Sequence, residues 1–154
     1  MGSGDAGTLS TGSTAVDVAR SYLAALGSDD PDAVAAHVTD DFVNEHQSEI
    51  GSGCTGRAAY RERLPGFMAS FPNRCYTVVE AVEGPPLDGS DAAGSDTAVV
   101  AVRYRFGADA EGHRIDIPGV MWFGIRDGSI TRRIDTWDSL TYFRQTEQQP
   151  PSAS

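Results

Sequence analysis

The sequence predicts a single α+β domain in which three N-terminal helices close over a curved, antiparallel-rich sheet and leave one central pocket between the two layers. Three observations carry this expectation. The first half of the chain holds three stretches with apolar residues at helical spacing, and the second half holds a run of alternating, strand-like stretches. Those strands are longer than the common ~5–6 residues, and one contains Pro118-Gly119, a signal for a bulge or bend. Long strands that bend curl into a concave face. Finally, 154 residues suffice for one sizeable core but hardly for two.

The elements follow in order. Residues 1–12 are Gly/Ser/Thr-rich and are expected to be a disordered tail, as are residues 146–154, TEQQPPSAS, which leaves 13–145 as the domain. Ser13 or Thr14 caps a first helix with an apolar face of Val16, Ala19, Tyr22, Leu23 and Leu26, and Gly27 stops it. Asp30 caps a second helix that opens on Pro31, with Ala33, Val34, His37 and Val38 on its face. A short strand spans 42–47. Gly51, Gly53 and Gly56 mark a loop. Thr55 is placed to cap a third helix from about Arg57 to Phe71, with a kink or break at Pro65-Gly66.

Strand residues 75–83 alternate, placing Tyr76, Val78, Glu80 and Val82 on one side. The stretch 84–95 reads as a flexible hairpin connection. Residues 97–107 form a long apolar strand, Asp109 to Gly112 turn the chain, and 113–125 form the next strand. Asp127-Gly128 is a hairpin turn leading into the last strand, 129–138. Leu140 to Gln145 form a short closing helix.

Composition removes several function classes. The net charge is −10 and the arginines are scattered, which argues against a nucleic-acid partner. All twelve basic residues are Arg, so lysine Schiff bases, pyridoxal phosphate linkages and the lysine of a phosphate-binding loop are unavailable. Cys54 and Cys75 lack metal-type spacing and are expected as free thiols. The three histidines are dispersed, so no metal site and no cofactor are expected. No apolar run approaches the roughly 18 residues of a membrane helix, and the N-terminus lacks a basic and apolar leader, so the chain reads as cytoplasmic with no membrane partner.

Polar residues on faces that should point inward are the candidates for chemistry. Tyr22 lies on the apolar face of the first helix. Asn44 and His46 share one face of the first strand, and Arg133, Asp135 and Trp137 share one face of the last. This inventory suits proton transfer: His46 as base, Asp135 as its partner or as general acid, and Tyr22 as donor to a developing oxyanion. Asp135 has a bland alternative in pairing with Arg132 or Arg133, and Asp138 one in capping the closing helix. Asn44, Tyr104, Phe106, Met121, Phe123, Trp137 and Asp138 complete the list of candidate pocket residues.

The segment RSYLAALGSDDPDAVAAHVTDDFVNEH resembles the opening of the nuclear transport factor 2-like superfamily, and GHRIDIPGVMWFGIRDGSITRRIDTWDSLTYFRQ resembles its C-terminal hairpin. The likeness covers about residues 14–145 and is strongest to the ketosteroid isomerase-like and SnoaL-like polyketide cyclase branch. It implies a cone-shaped sheet, a small apolar, polyketide-like or steroid-like ligand, and a homodimer built on the outer sheet face. Residue by residue, it implies an oxyanion-binding role for Tyr22 and places His46 where the isomerases hold a carboxylate base. The isomerases' second oxyanion donor would fall near Met121, a departure from their pattern. The last-strand aspartate of limonene epoxide hydrolase matches Asp135, but its water-binding asparagine would fall at His46 and its Arg-x-Asp pair near Val102 and Tyr104, so that catalytic trio is broken. The His/Asp pair of the cyclases is compatible with His46 and Asp135, with Asp138 as a second candidate. The expected function is a cofactor-free acid–base enzyme; the alternatives are an epoxide hydrolase-like enzyme with a non-standard site, or a non-catalytic binding or dimerisation domain.

Overall fold

A computed structural model describes residues 14–86 and 95–152. The tail 1–12 and most of the 84–95 connection lie outside the described residues. Within them, the chain is α+β: four helices and a six-stranded sheet that stays open.

Helix α1 (Ala15–Leu26) starts at Thr14, whose hydroxyl accepts from the Asp17 backbone while the Asp17 carboxylate accepts from the Thr14 backbone. Its buried stripe is Val18, Ala19, Tyr22, Leu23 and Leu26. Helix α2 (Pro31–Ala35) is capped by Asp30 but is shorter than expected, since the chain leaves it before His37 and Val38. Val38 instead opens strand β1 (Val38–His46), a nine-residue strand longer than the sequence suggested. The β-branched Val38-Thr39 pair favours extension, and the Ile130 backbone N–H donates to the His37 carbonyl, drawing the chain into the sheet.

A two-residue strand β2 (Cys54–Thr55) pairs with β1, so Thr55 is a strand residue and not a helix cap. Helix α3 (Arg57–Ser70) starts from Gly56 at φ 95° without a side-chain cap, and it runs unbroken through Pro65.

Strand β3 (Cys75–Gly84) carries a bulge between Val78 and Glu80, which corrects the simple alternation. After it, Ala81 packs inward while Glu80 and Val82 face out. Strands β4 (Ala98–Ala110) and β5 (His113–Arg126) pair in unbroken register past Pro118 and Gly119, so the expected bulge is absent there. The turns Glu111-Gly112 and Asp127-Gly128 each hold two residues at positive φ, which matches the twist of a two-residue hairpin. Strand β6 (Ser129–Trp137) leads into α4 (Ser139–Gln145), after which Thr146 is buried with its hydroxyl on the Tyr142 carbonyl.

The sheet order is β2-β1-β6-β5-β4-β3. All pairings are antiparallel except β1 with β6, which is parallel. This register writes side chains into rows across the concave face. One row runs Val102, Met121, Asp135, His46; the next runs Val100, Phe123, Arg133, Asn44. Helix α1 covers the β3–β4 part of that face, where Tyr22 and Leu23 join Val100, Val102, Met121 and Phe123 in the main core. A second cluster, Ala108, Ala110, Ile115 and Ile117, gathers near α4.

Candidate functional site

Between the two apolar clusters lies a cavity of about 630 Å³, large enough for a small organic molecule. Its walls are mainly apolar and aromatic: Leu64, Phe67 and Phe71 from α3, Phe106 from β4, Ile115 and Ile117 from β5, and Trp137 and Tyr142 at the α4 end. Polar groups converge on one side, where Asn44, His46, Arg133 and Asp135 stand on β1 and β6 with Tyr60, Tyr76 and Tyr104 near them.

The sheet register explains the polar cluster. Parallel pairing sets Asn44 opposite Arg133 and His46 opposite Asp135 on the same face. Arg133, nearly fully buried, sits at the centre. One Nη1 donates to the Tyr22 hydroxyl at 2.7 Å, and Nη2 donates to Asp135 Oδ2 at 3.3 Å and towards His46 Nε2 at 3.4 Å. Asp135 Oδ1 accepts the Tyr104 hydroxyl at 2.6 Å. His46 Nδ1 lies 3.9 Å from Asp135 Oδ2, beyond hydrogen-bond range, and is buried without a partner among the described residues.

Two glycines make room for this arrangement. A Cβ on Gly119 would fall 2.4 Å from the Tyr104 oxygen, so only glycine lets the Tyr104 ring lie across β5 and reach Asp135 on β6. A Cβ on Gly51 would fall 2.4 Å from His46 Cβ, so the loop after β1 packs directly onto the imidazole.

The environment pushes the acid and the base toward each other. Burial, followed by the cations of Arg133 and Arg63, lowers the His46 imidazole to about 4. Burial raises the Asp135 carboxyl, against the opposing pull of Arg133 and of the Tyr104 hydrogen bond. A guanidinium can only donate, so Nε2 of neutral His46 is the acceptor and Nδ1 carries the proton, directed toward Asp135. The site therefore presents a carboxylate of raised basicity beside a neutral imidazole and a buried cation, an arrangement able to take a proton and stabilise the resulting negative charge.

Of the residues singled out from sequence, Asn44, His46, Tyr104, Phe106, Asp135 and Trp137 line the cavity. Tyr22 does not: it is fully buried behind Arg133 and Tyr60. Met121 and Phe123 share the concave face but sit beneath α1, fully buried in the core, with Phe123 packed edge-on to Tyr22. Asp138 turns away and caps α4, accepting from the Thr141 backbone and hydroxyl. Sequence reasoning placed Arg133 on the Asp135 face only as an ion-pair partner, and it left out Tyr60 and Tyr76. The i, i+2 spacing of Arg133 and Asp135 was the available signal for the first; Tyr60 shares the apolar face of α3 with Leu64, Phe67, Met68 and Phe71, and Tyr76 lies on one face of β3, signals that turn both rings inward without telling a cavity wall from a packed core.

A family model described as a SnoaL-like domain matches residues 19–133. Comparison with curated proteins gives no match. Among solved structures, the chain is similar to a protein of ketosteroid isomerase-like fold from Catenulispora acidiphila, in complex with trimethylamine, at TM-score 0.72 and 19% identity, covering 88% of this chain and 96% of that one. It is similar to a candidate isomerase from Bacillus subtilis at TM-score 0.68 and 17% identity, covering 88% and 94%. A candidate SnoaL-like polyketide cyclase from Jannaschia matches at TM-score 0.66 and 16% identity, covering 88% and 92%. At these identities the structural likenesses speak for the fold.

Proposed function

The chain belongs to the SnoaL-like domain family, and from that premise we propose that it is a cofactor-free acid–base enzyme of the cyclase or isomerase kind, acting on a small, largely apolar carbonyl compound held in the cavity. The observation that carries the reading is the meeting of Asp135, His46 and Arg133 on one wall of an otherwise apolar cavity.

The roles follow from the geometry. Asp135, its basicity raised by burial, takes a proton from the carbon next to the substrate carbonyl. Negative charge then develops beside the buried Arg133 guanidinium. The proton returns from Asp135 at a second position, or the carbanion forms a C–C bond to a second carbonyl, whose π electrons move to its oxygen, and that alkoxide takes the proton back from Asp135. This reverses the assignment drawn from sequence: an imidazole held near 4 is too weak a base to lead at neutral pH, so Asp135 takes that role and His46 stays neutral beside it, accepting from Arg133 through Nε2. Tyr22 steadies Arg133 from behind.

The test is hydrogen–deuterium exchange at the carbon next to the carbonyl of 1-indanone and related aromatic ketones, followed by NMR. The wild-type protein accelerates exchange, and Asp135→Asn loses about 10²–10⁴ of that acceleration. Equal rates in the two proteins would refute the assignment.

We infer a homodimer from the opposite sheet face. Val82, Ala101, Trp122 and Ile134 form one row across four strands, with Trp122 42% and Val82 63% exposed. Light scattering at micromolar concentration gives twice the chain mass if this holds, and Trp122→Glu shifts it to monomer. A wild-type monomer would remove the inference.

A further inference from the structure

The tyrosine assigned from sequence to the ligand's oxygen is out of the cavity's reach, yet its hydrogen bonds point to another. Tyr22 has no exposed surface, and among the described residues its hydroxyl has two neighbours: Arg133 Nη1 at 2.7 Å and the hydroxyl of Tyr60 in close contact. The guanidinium has no lone pair to offer, so Tyr22 accepts from it. Tyr22 must still place its own proton, and the Tyr60 oxygen is the acceptor within reach. If the Tyr60 proton filled that contact instead, the Tyr22 proton would be buried with no acceptor, a condition folded proteins avoid. The order of donation is therefore Arg133 to Tyr22 to Tyr60, and the Tyr60 proton is the one left over. Tyr60 lies on the cavity wall, on α3, while Tyr22 does not.

We propose that Tyr60 is the hydrogen-bond donor to the ligand's carbonyl or enolate oxygen, and that Tyr22 is a positioning residue that aims it. The ligand class is an apolar ring compound carrying one acceptor oxygen. The chain of bonds from a buried cation polarises each member in turn, so the last hydroxyl donates more strongly than an isolated phenol. Burial holds the Tyr60 phenol well above its ordinary value, so it keeps its proton throughout the working range. Tyr60 also packs its ring on Phe42 at 4.9 Å between centroids, which fixes its direction. The proposal rests on the acid–base reading for the identity of that oxygen, namely the carbonyl beside the carbon that loses its proton.

The experiment compares binding of 1-indanone with that of indane, the same skeleton without the oxygen, to the wild-type protein, Tyr60→Phe and Tyr22→Phe, together with the carbonyl stretch of bound indanone in the infrared. The wild-type protein prefers the ketone, and its bound carbonyl absorbs at lower frequency than in an apolar solvent. Tyr60→Phe weakens ketone binding about three- to tenfold while leaving indane unchanged, and returns the stretch toward the apolar value. Tyr22→Phe keeps a preference for the ketone with a smaller frequency shift, since the Tyr60 proton remains. Unaltered indane affinity separates a lost donor from a damaged fold. If Tyr60→Phe does not fold, the wild-type stretch decides, and an unshifted carbonyl overturns the proposal. So does Tyr60→Phe with undiminished ketone preference, Tyr22→Phe abolishing a preference that Tyr60→Phe retains, or a wild-type protein that binds neither compound. Ketone preference without any Asp135-dependent exchange would instead sink the acid–base reading and leave the donor in place.

Discussion

Replacing Gly119 with alanine tests the geometry that brings Tyr104 to Asp135. The new Cβ would lie 2.4 Å from the Tyr104 oxygen, 2.5 Å from its Cζ and 2.9 Å from its Cε1. All three are far inside van der Waals contact, and the obstructing ring is wedged between Tyr76, at 5.6 Å between centroids, and the sheet. The ring has to move, and its 2.6 Å bond to Asp135 Oδ1 is lost. A bond to a charged acceptor is worth about 1.5–3 kcal/mol; overpacking adds about 1–3 kcal/mol. Ala in a strand recovers under ~1 kcal/mol of backbone entropy relative to Gly. The net loss is about 2–5 kcal/mol. Tyr104→Phe alone gives up only the bond, about 1.5–3 kcal/mol. The double variant then falls short of the sum of the singles by roughly that same 1.5–3 kcal/mol, because one bond cannot be lost twice. Urea unfolding with unchanged m-values supplies the numbers. Because the Tyr104 bond holds the Asp135 carboxyl down, both single variants also raise it further, and the acid limb of activity moves to higher pH. A Gly119→Ala protein within ~0.5 kcal/mol of wild type, with its acid limb in place, would refute the reasoning.

Three further outcomes follow from other parts of the molecule. In NMR titration, His46 changes charge near 4, and Arg133→Met raises that value because a cation that opposed its protonation is gone; a His46 midpoint near the ordinary ~6.5 would contradict the burial and charge argument. Since the native imidazole refuses a proton that the unfolded chain accepts, His46 contributes stability that is complete above ~6.5 and is lost as pH falls to about 4. The raised Asp135 carboxyl acts in the opposite sense, so the His46 contribution is read as the difference between wild type and His46→Gln across that window. Arg74 is buried and donates to the carbonyls of Leu26, Ser28, Met68 and Phe71 and to Asp29, tying the ends of α1 and α3 to the start of β3. Arg74→Met strands several buried acceptors at about 1–3 kcal/mol each; thermal unfolding should drop by more than ~10 °C, and a drop under ~3 °C would show that water replaces the guanidinium.

The fold was legible because its signals are local and repeated. The Thr14 capping box, the Asp30-Pro31 start and the Asp127-Gly128 turn each act within a few residues, and the alternation of β4 to β6 repeats along the strands. What went astray depended on partners distant in sequence. Val38 joined a strand because Ile130 of β6 lay ready to pair with it, a contact more than ninety positions away that no helical or strand period in 31–47 announces. The β3 bulge was invisible for the same reason: one extra residue leaves the alternation plausible on either side of it. The site was legible in half. Period-two alternation placed Asn44, His46, Arg133 and Asp135 on inward faces. Which inward residues meet a cavity and which meet a helix depends on where α1 lies along the sheet, and that is why Met121 and Phe123 went to the core.

Arg133 shows why the remaining half matters for chemistry. From sequence it was a partner that threatened to make Asp135 merely structural. In the folded chain one guanidinium serves three customers: it neutralises Asp135, depresses His46, and sets the direction of the Tyr22–Tyr60 pair. Remove the cation and the three effects go together. Asp135 becomes a buried acid with no charge opposite, His46 is held down by burial and Arg63 alone, and Tyr60 no longer has a reason to face its proton inward. A residue with so many dependants should behave non-additively. Arg133→Met combined with Asp135→Asn is expected to be more stable than Asp135→Asn alone, because the single change leaves a buried cation uncompensated, at about 3–5 kcal/mol, whereas the double change removes it. Denaturation of the two variants decides the point. A double variant less stable than Asp135→Asn would mean that Arg133 is held by its tyrosines more than by its carboxylate.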